Sequence, residues 1–149
     1  MTDATDPCAA CTACSLRCTE GMPISEFEFH RIVEALRAQD PRQIRKVLEQ
    51  EKVQAWCEGL TYTACLFLDT ESRQCVIFPA RPLICRLFGR VKYLPCPIAR
   101  IPADLDARHI IQVHASQRRQ TFQAWMAESG YFNFDDLLGA SYAPPRIEI

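Results

Sequence analysis

Nine cysteines in 149 residues constrain this chain more than any other feature. They fall into two sets. One is a tight run, Cys8, Cys11, Cys14 and Cys18; the other is spread over Cys57, Cys65, Cys75, Cys85 and Cys96. Thiols this crowded form disulfides, hold a metal ion or ligate an iron–sulfur cluster. The start, Met1-Thr-Asp-Ala-Thr-Asp-Pro7, has no basic n-region and no apolar h-region, so it does not read as a secretory signal. No stretch approaches the ~20 apolar residues that span a bilayer. A cytoplasmic chain is expected, in a reducing pool where clustered thiols bind metal rather than oxidise. An odd count leaves one thiol over, and a Cys8–Cys11 disulfide would close a very small loop. Metal ligation is the expectation.

Composition narrows the rest. A formal net charge of −1 lacks the cationic footprint of nucleic-acid binding. The small basic groups, Arg42 to Lys46 and Arg118-Arg119, lie among acids in helical patterns and read as solvated faces. Length and an apolar content of 48% suit one domain, residues 1–149. The five glycines are isolated, so no phosphate-cradling loop exists. With nothing to pair a chosen thiol with a base, an autonomous enzyme is not expected.

The pattern predicts an α+β fold, mainly helical. Ser25 and Glu28 form a capping box, with Ile24 stapling onto Phe29 and an apolar stripe at Phe29, Ile32, Val33 and Leu36. Asp40-Pro41 restarts a helix with Ile44, Val47, Leu48 and Trp56 on its buried face and Gly59 as its stop, giving a helical hairpin. Tyr62 to Leu68 and Gln74 to Phe78 are short and β-prone, which predicts a hairpin with Cys65 and Cys75 on adjacent strands. Pro82 opens a helical turn carrying Cys85 that ends at Gly89, and Pro95 and Pro97 stiffen the backbone around Cys96. Residues 104–129 read as one long C-terminal helix, followed by a turn near Asp135 to Leu138 and a proline-broken tail to residue 149.

The chemistry follows from spacing. Cys-x2-Cys-x2-Cys-x3-Cys coincides with the bacterial ferredoxin run, whose first three sulfurs converge on one cluster and whose fourth ligand is remote. Here Cys18 is followed by Thr19, whereas the distant Cys96 is followed by Pro97. Zinc would take a two-cysteine knuckle, Cys8 with Cys11 or Cys11 with Cys14, closed by Cys75, Cys85 or Cys96. Spacing alone leaves iron–sulfur and zinc both open. Arg81 and Arg86 flank Cys85 and could offset thiolate charge or donate to sulfur. Cys57 has no motif partner and reads as a small buried residue. His114 reads as a core-edge histidine rather than a ligand, and Asp135-Asp136 as helix-start charges.

Cys65, then Cys75-Val-Ile-Phe78-Pro-Ala-Arg81-Pro82-Leu-Ile-Cys85-Arg86, then Cys96, together with the N-terminal run, resemble the YkgJ-type cysteine cluster family. That family pairs a Cys-x2-Cys-x2-Cys-Cys element with a later Cys-x-Ile-Tyr-x-x-Arg-Pro-x-x-Cys-Arg element and is described as chelating zinc or iron. The resemblance spans residues 8–96 and implies Cys8, Cys11, Cys14, Cys65, Cys75, Cys85 and Cys96 as ligands, with Arg81, Pro82 and Arg86 beside them. Ser15 stands where the family has a cysteine, and Phe78 where it commonly has tyrosine. Cys18 can supply the missing thiolate from the next turn. The expected function is a small cytoplasmic protein holding an iron–sulfur cluster or Zn(2+), serving redox, electron transfer or metal handling for a protein partner. The rivals are a structural-zinc interaction module and an accessory subunit of a modifying enzyme. No membrane or nucleic-acid partner is expected.

Overall fold

Buried side chains of four helices, together with Ile24, Phe67 and Ile77, build the main core, and Cys65 and Cys75 pack against it. The computed structural model describes residue 8 and residues 11–139. The capping box forms as read: the Ser25 hydroxyl accepts from the Glu28 N–H at 3.3 Å, and the Glu28 carboxylate accepts from the Ser25 N–H at 2.9 Å. It opens α1 (Glu26–Arg37), which buries Phe29, Ile32, Val33 and Leu36 on one stripe. Asp40 accepts from the Arg42 N–H, Pro41 takes the first helical position, and α2 (Pro41–Leu48) buries Ile44, Val47 and Leu48.

The second helix ends well before the sequence pattern suggested. Val53–Ala55 (β2) pairs antiparallel with Thr61–Thr63 (β3), so the stretch after Leu48 is a hairpin and not more helix. Glu58 and Gly59 both sit at positive φ, 47° and 78°, and make the tight reversal. Gly59 is a turn residue rather than a helix stop. Trp56 lies outside the core at 62% exposure, packed edge-on against Tyr62. Cys57, at the same turn, is exposed rather than buried.

The next hairpin is shorter than the apolar runs implied. Leu68–Asp69 (β4) pairs with Gln74–Cys75 (β5), and Cys75 stands opposite Leu68, not Cys65. A 3-10 turn, Phe78–Ala80, leads to α3 (Leu83–Leu87), which Pro82 opens and which carries Cys85. Arg90–Val91 (β6) and Leu94–Pro95 (β7) form a third hairpin.

The expected long C-terminal helix is two helices. Arg108–Ser116 is α4 and Phe122–Glu128 is α5. Between them Arg119–Gln120 (β8) pairs with Ile24–Ser25 (β1), the strand that feeds α1. Thr121 then caps α5 by accepting from the Ala124 N–H. Helical periodicity continues across this break, but strand pairing with β1 and a new cap outweigh it. α4 buries none of its residues, whereas α5 buries Phe122, Trp125 and Met126. The turn near Asp135 is a short helix, α6 (Phe134–Gly139), with Asp135 and Asp136 in its first turn as expected.

Phe29, fully buried, contacts Phe122 at 5.1 Å and Trp125 at 6.3 Å between ring centroids, and Phe67 meets Phe122 edge-on at 4.9 Å. The Trp125 indole donates to Ile24 O at 2.9 Å, fixing α5 to the start of α1. Arg37 donates to Leu137 O at 2.8 and 2.6 Å, docking α6. Each fully buried large apolar side chain contributes about 1.5–3 kcal/mol, so this cluster supplies most of the driving force. A smaller cluster, Leu87, Val91 and Ala107, sits beneath the third hairpin. No helix among the described residues is long and apolar enough to cross a membrane.

Candidate metal centre

The N-terminal run is a succession of three-residue turns. The Cys11 N–H donates to Cys8 O at 3.1 Å, the Ser15 N–H to Thr12 O at 3.1 Å and the Arg17 N–H to Cys14 O at 2.9 Å. Cys14 leads the 3-10 turn Ser15–Arg17, and Cys18 ends it. Residues three apart stack on one side of such a turn, which is how a Cys-x2-Cys-x2-Cys spacing gathers its sulfurs.

Cys96 joins this group from far along the chain. Gly89 holds φ +85°, and a Cβ there would lie 3.4 Å from Cys96 Cβ and 3.1 Å from Ile101 Cδ1. The backbone at Gly89 therefore presses directly on the Cys96 loop. Burial pushes the Cys14 thiol up, and the neighbouring Cys96, Cys11 and Cys8 push it further, while Arg17 pulls it down. The N–H groups of Ile98, Arg100, Ile101 and Ala99 hold the Cys96 thiol below its ordinary value against slight desolvation. Cys14 thus has Cys8, Cys11 and the distant Cys96 as its thiol neighbours, and these are taken as the first group.

The second group is Cys18, Cys65, Cys75 and Cys85. The Cys65 N–H donates to Cys18 O at 2.7 Å, and Thr19 bridges Ala64 alongside. The Val76 N–H donates to Phe67 O at 2.9 Å, which brings the segment of Cys75 against that of Cys65. Both cysteines pack on the main core. Cys85 reaches in from α3, its Sγ 3.8 Å from Met22 Sδ. Burial pushes Cys18 up to about 11 and Cys75 and Cys85 up to about 12. Repulsion comes next: Cys18 feels Cys65, Cys75 feels Cys65 and Cys18, and Cys85 feels Cys65, Cys75 and Cys18. Every pair within the foursome is thus coupled. The two groups adjoin, since Cys14 also raises Cys18.

Cations offset this potential. Arg81 lowers Cys18, Cys75 and Cys85, and Lys52 lowers Cys65. The Arg81 guanidinium lies 3.8 Å from the Phe78 ring centroid and its Nε donates to Phe78 O at 3.1 Å, so the charge is fixed in place. Arg17, beside the first group, stacks on Phe88 at 5.7 Å. Arg86 is exposed on α3. Sequence reasoning named Arg81 and Arg86 but missed Arg17, Lys52 and Met22. Arg17 was legible, because it precedes Cys18; Lys52 and Met22 carry no signal without the fold.

One buried carboxylate ties this region together. Glu28 is 6% exposed, and besides its box it accepts from the Leu83 N–H at 2.7 Å and meets His114 Nε2 at 2.9 Å. It thereby caps α3, which Pro82 cannot cap, from a different helix. His114 sits at the core edge, as read, held by this contact rather than by a thiol.

No disulfide joins any of the nine cysteines. Among the described residues, no three His, Cys, Asp or Glu side chains are closed around a point that could hold a metal ion as placed. The donor set nonetheless fits a thiophilic centre: reduced sulfurs in two neighbourhoods, with fixed cations beside each. A family model named CxxCxxCC, described as "Putative zinc- or iron-chelating domain", matches residues 7–127. No curated protein and no solved structure matches the chain.

Proposed function

The chain belongs to the CxxCxxCC family, and from that premise we propose that its cysteines hold zinc or iron–sulfur in two four-thiolate centres. Cys8, Cys11, Cys14 and Cys96 make one centre, and Cys18, Cys65, Cys75 and Cys85 the other. The observation that carries this reading is the mutual coupling of the second foursome beside Arg81. Four unlinked thiols crowded under the surface repel one another when ionised, and a bound cation removes that penalty.

A bound zinc ion would cross-link segments that have little core of their own, and an iron–sulfur cluster would add one-electron chemistry. The chain's residues do the rest. Arg81 and Lys52 offset the net negative charge of four thiolates, and Arg17 does so at the other centre. The N–H groups after Cys96 stabilise its thiolate. The biological role that fits is redox, electron transfer or metal handling in the cytoplasm by a single domain working with a protein partner. A structural-zinc interaction module is the second reading, favoured by the exposed apolar side chains Trp56, Leu60, Tyr93, Ile98 and Phe132.

Anaerobic purification with measurement of iron, sulfide, zinc and the visible spectrum tests the proposal. Cys11→Ser and Cys85→Ser should each lose a different part of the metal. A metal-free protein would defeat the reading, and a colourless zinc protein without sulfide would remove its redox form.

A further inference from the structure

We propose that Met22 is a modification site: a hydroperoxide oxidises its thioether to the sulfoxide, and the oxidised side chain uncovers Cys85. Cys85 Sγ lies 3.8 Å from Met22 Sδ, the thiol donating to the thioether. The two residues are 63 apart in the chain, so the fold and not local sequence makes this contact. Met22 is anchored from both sides. Before it, the Glu20 N–H donates to Thr63 O at 3.1 Å. After it, Ile24 is 3% exposed, pairs with Gln120 and accepts from the Trp125 indole. Between these anchors Gly21 and Pro23 are exposed and Met22 is half-buried. Met22 therefore covers Cys85 while keeping an open side toward solvent.

Oxygen transfer requires the peroxide to reach the sulfur lone pair. Two methionines lie among the described residues, and Met126 is shut in the main core at 5% exposure. Met22 is the reachable one. In the step itself the peroxide O–O bond breaks and one oxygen bonds to Met22 Sδ. The sulfur gives up two electrons, the peroxide takes them, and it leaves as the alcohol with its own proton. A thioether packs as an apolar group, whereas a sulfoxide is polar and needs a good donor or water. The Cys85 S–H is a weak donor and does not hold such an oxygen inside. Solvent lies beside the exposed Gly21 and Pro23, so the sulfoxide turns outward and its cover leaves the thiol. Neither step needs a bound ion.

The test treats the full-length protein with tert-butyl hydroperoxide and then with dithiothreitol, which returns oxidised thiols but leaves a sulfoxide in place. Treated and untreated samples of equal metal content are then alkylated over time with N-ethylmaleimide and mapped by mass spectrometry. Met22 sulfoxide should exceed Met126 sulfoxide about fivefold or more. Cys85 should alkylate about threefold faster after oxidation, while the exposed Cys57 keeps its rate and circular dichroism is unchanged. Methionine sulfoxide reductase should restore the slow rate. Met22→Leu, which keeps an apolar cover of similar size, should show no response of Cys85 to peroxide. Oxidation of Met126 as fast as Met22, an unchanged Cys85 rate, or a peroxide response that survives in Met22→Leu would overturn the inference.

Discussion

Removing the Glu28 carboxylate should cost far more than the capping box it belongs to. Glu28→Ala deletes the acceptor for the Ser25 N–H, the Leu83 N–H and His114. The cap contributes about 1 kcal/mol. The Leu83 N–H then loses its bond to a charged acceptor, worth about 1.5–3 kcal/mol. The His114 contact adds less, because that ring is 14% exposed and water can replace the partner. The expected total is about 3–4 kcal/mol. Ser25→Ala, which removes only the hydroxyl half of the box, should cost about 1 kcal/mol. Glu28→Gln keeps one acceptor but turns an NH2 group toward other donors, so about 2 kcal/mol is expected. Urea unfolding followed by circular dichroism, at equal metal content, measures all three.

The same residue gives a pH test. Burial pushes the Glu28 carboxyl up, but the hydrogen bonds from Leu83, His114 and Ser25 outweigh it and hold the group below the usual carboxylate range. A folded value below the unfolded value of about 4.3 means the contribution is complete above that pH and fades as pH falls through the lower folded value. The gap between wild type and Glu28→Gln should therefore be constant near neutrality and shrink only in acid. Both proteins lose metal there, so the difference between them isolates the carboxylate. If Glu28→Ala were no worse than Ser25→Ala, or if the gap closed on the alkaline side, the account of α3 capping would be refuted.

Other outcomes follow from the same geometry. Arg81→Gln should weaken metal affinity about tenfold in competition with a chromophoric chelator, whereas Arg86→Gln, on the exposed face of α3, should leave it unchanged. Gly89→Ala places a methyl group 3.1 Å from Ile101 Cδ1 at φ +85°, and should cost about 1–2 kcal/mol in urea unfolding while releasing metal from the Cys96 centre first. Phe29→Ala empties the middle of the aromatic core and should cost about 3–5 kcal/mol by the same assay.

Much of this protein is set by local chemistry that a linear reading can follow. The Ser25–Glu28 box, the Asp40-Pro41 start, the stripe from Phe29 to Leu36 and the Pro82 start of α3 depend on neighbours within four residues, so they are legible in sequence. Thiol crowding at residues 8–18 and the Arg81-to-Arg86 element carried the family resemblance, which the family model bears out, for the same reason. The stretch after Leu48 misled because Trp56 fits the stripe of Ile44, Val47 and Leu48, yet Val53–Ala55 found a strand partner across a turn with two positive-φ residues. The break at residues 117–121 was hidden because β8 pairs with β1, nearly a hundred residues away.

Grouping of the sulfurs lay beyond the sequence altogether. Spacing joined Cys18 to the run it ends, but the fold also ties its carbonyl to the Cys65 N–H, and it brings the distant Cys96 near Cys14. Residue types and short intervals decide that thiols will meet cations and one another. Which thiols meet is a matter of where strands, turns and a helix are pinned by long-range hydrogen bonds, and only chain packing in three dimensions fixes that.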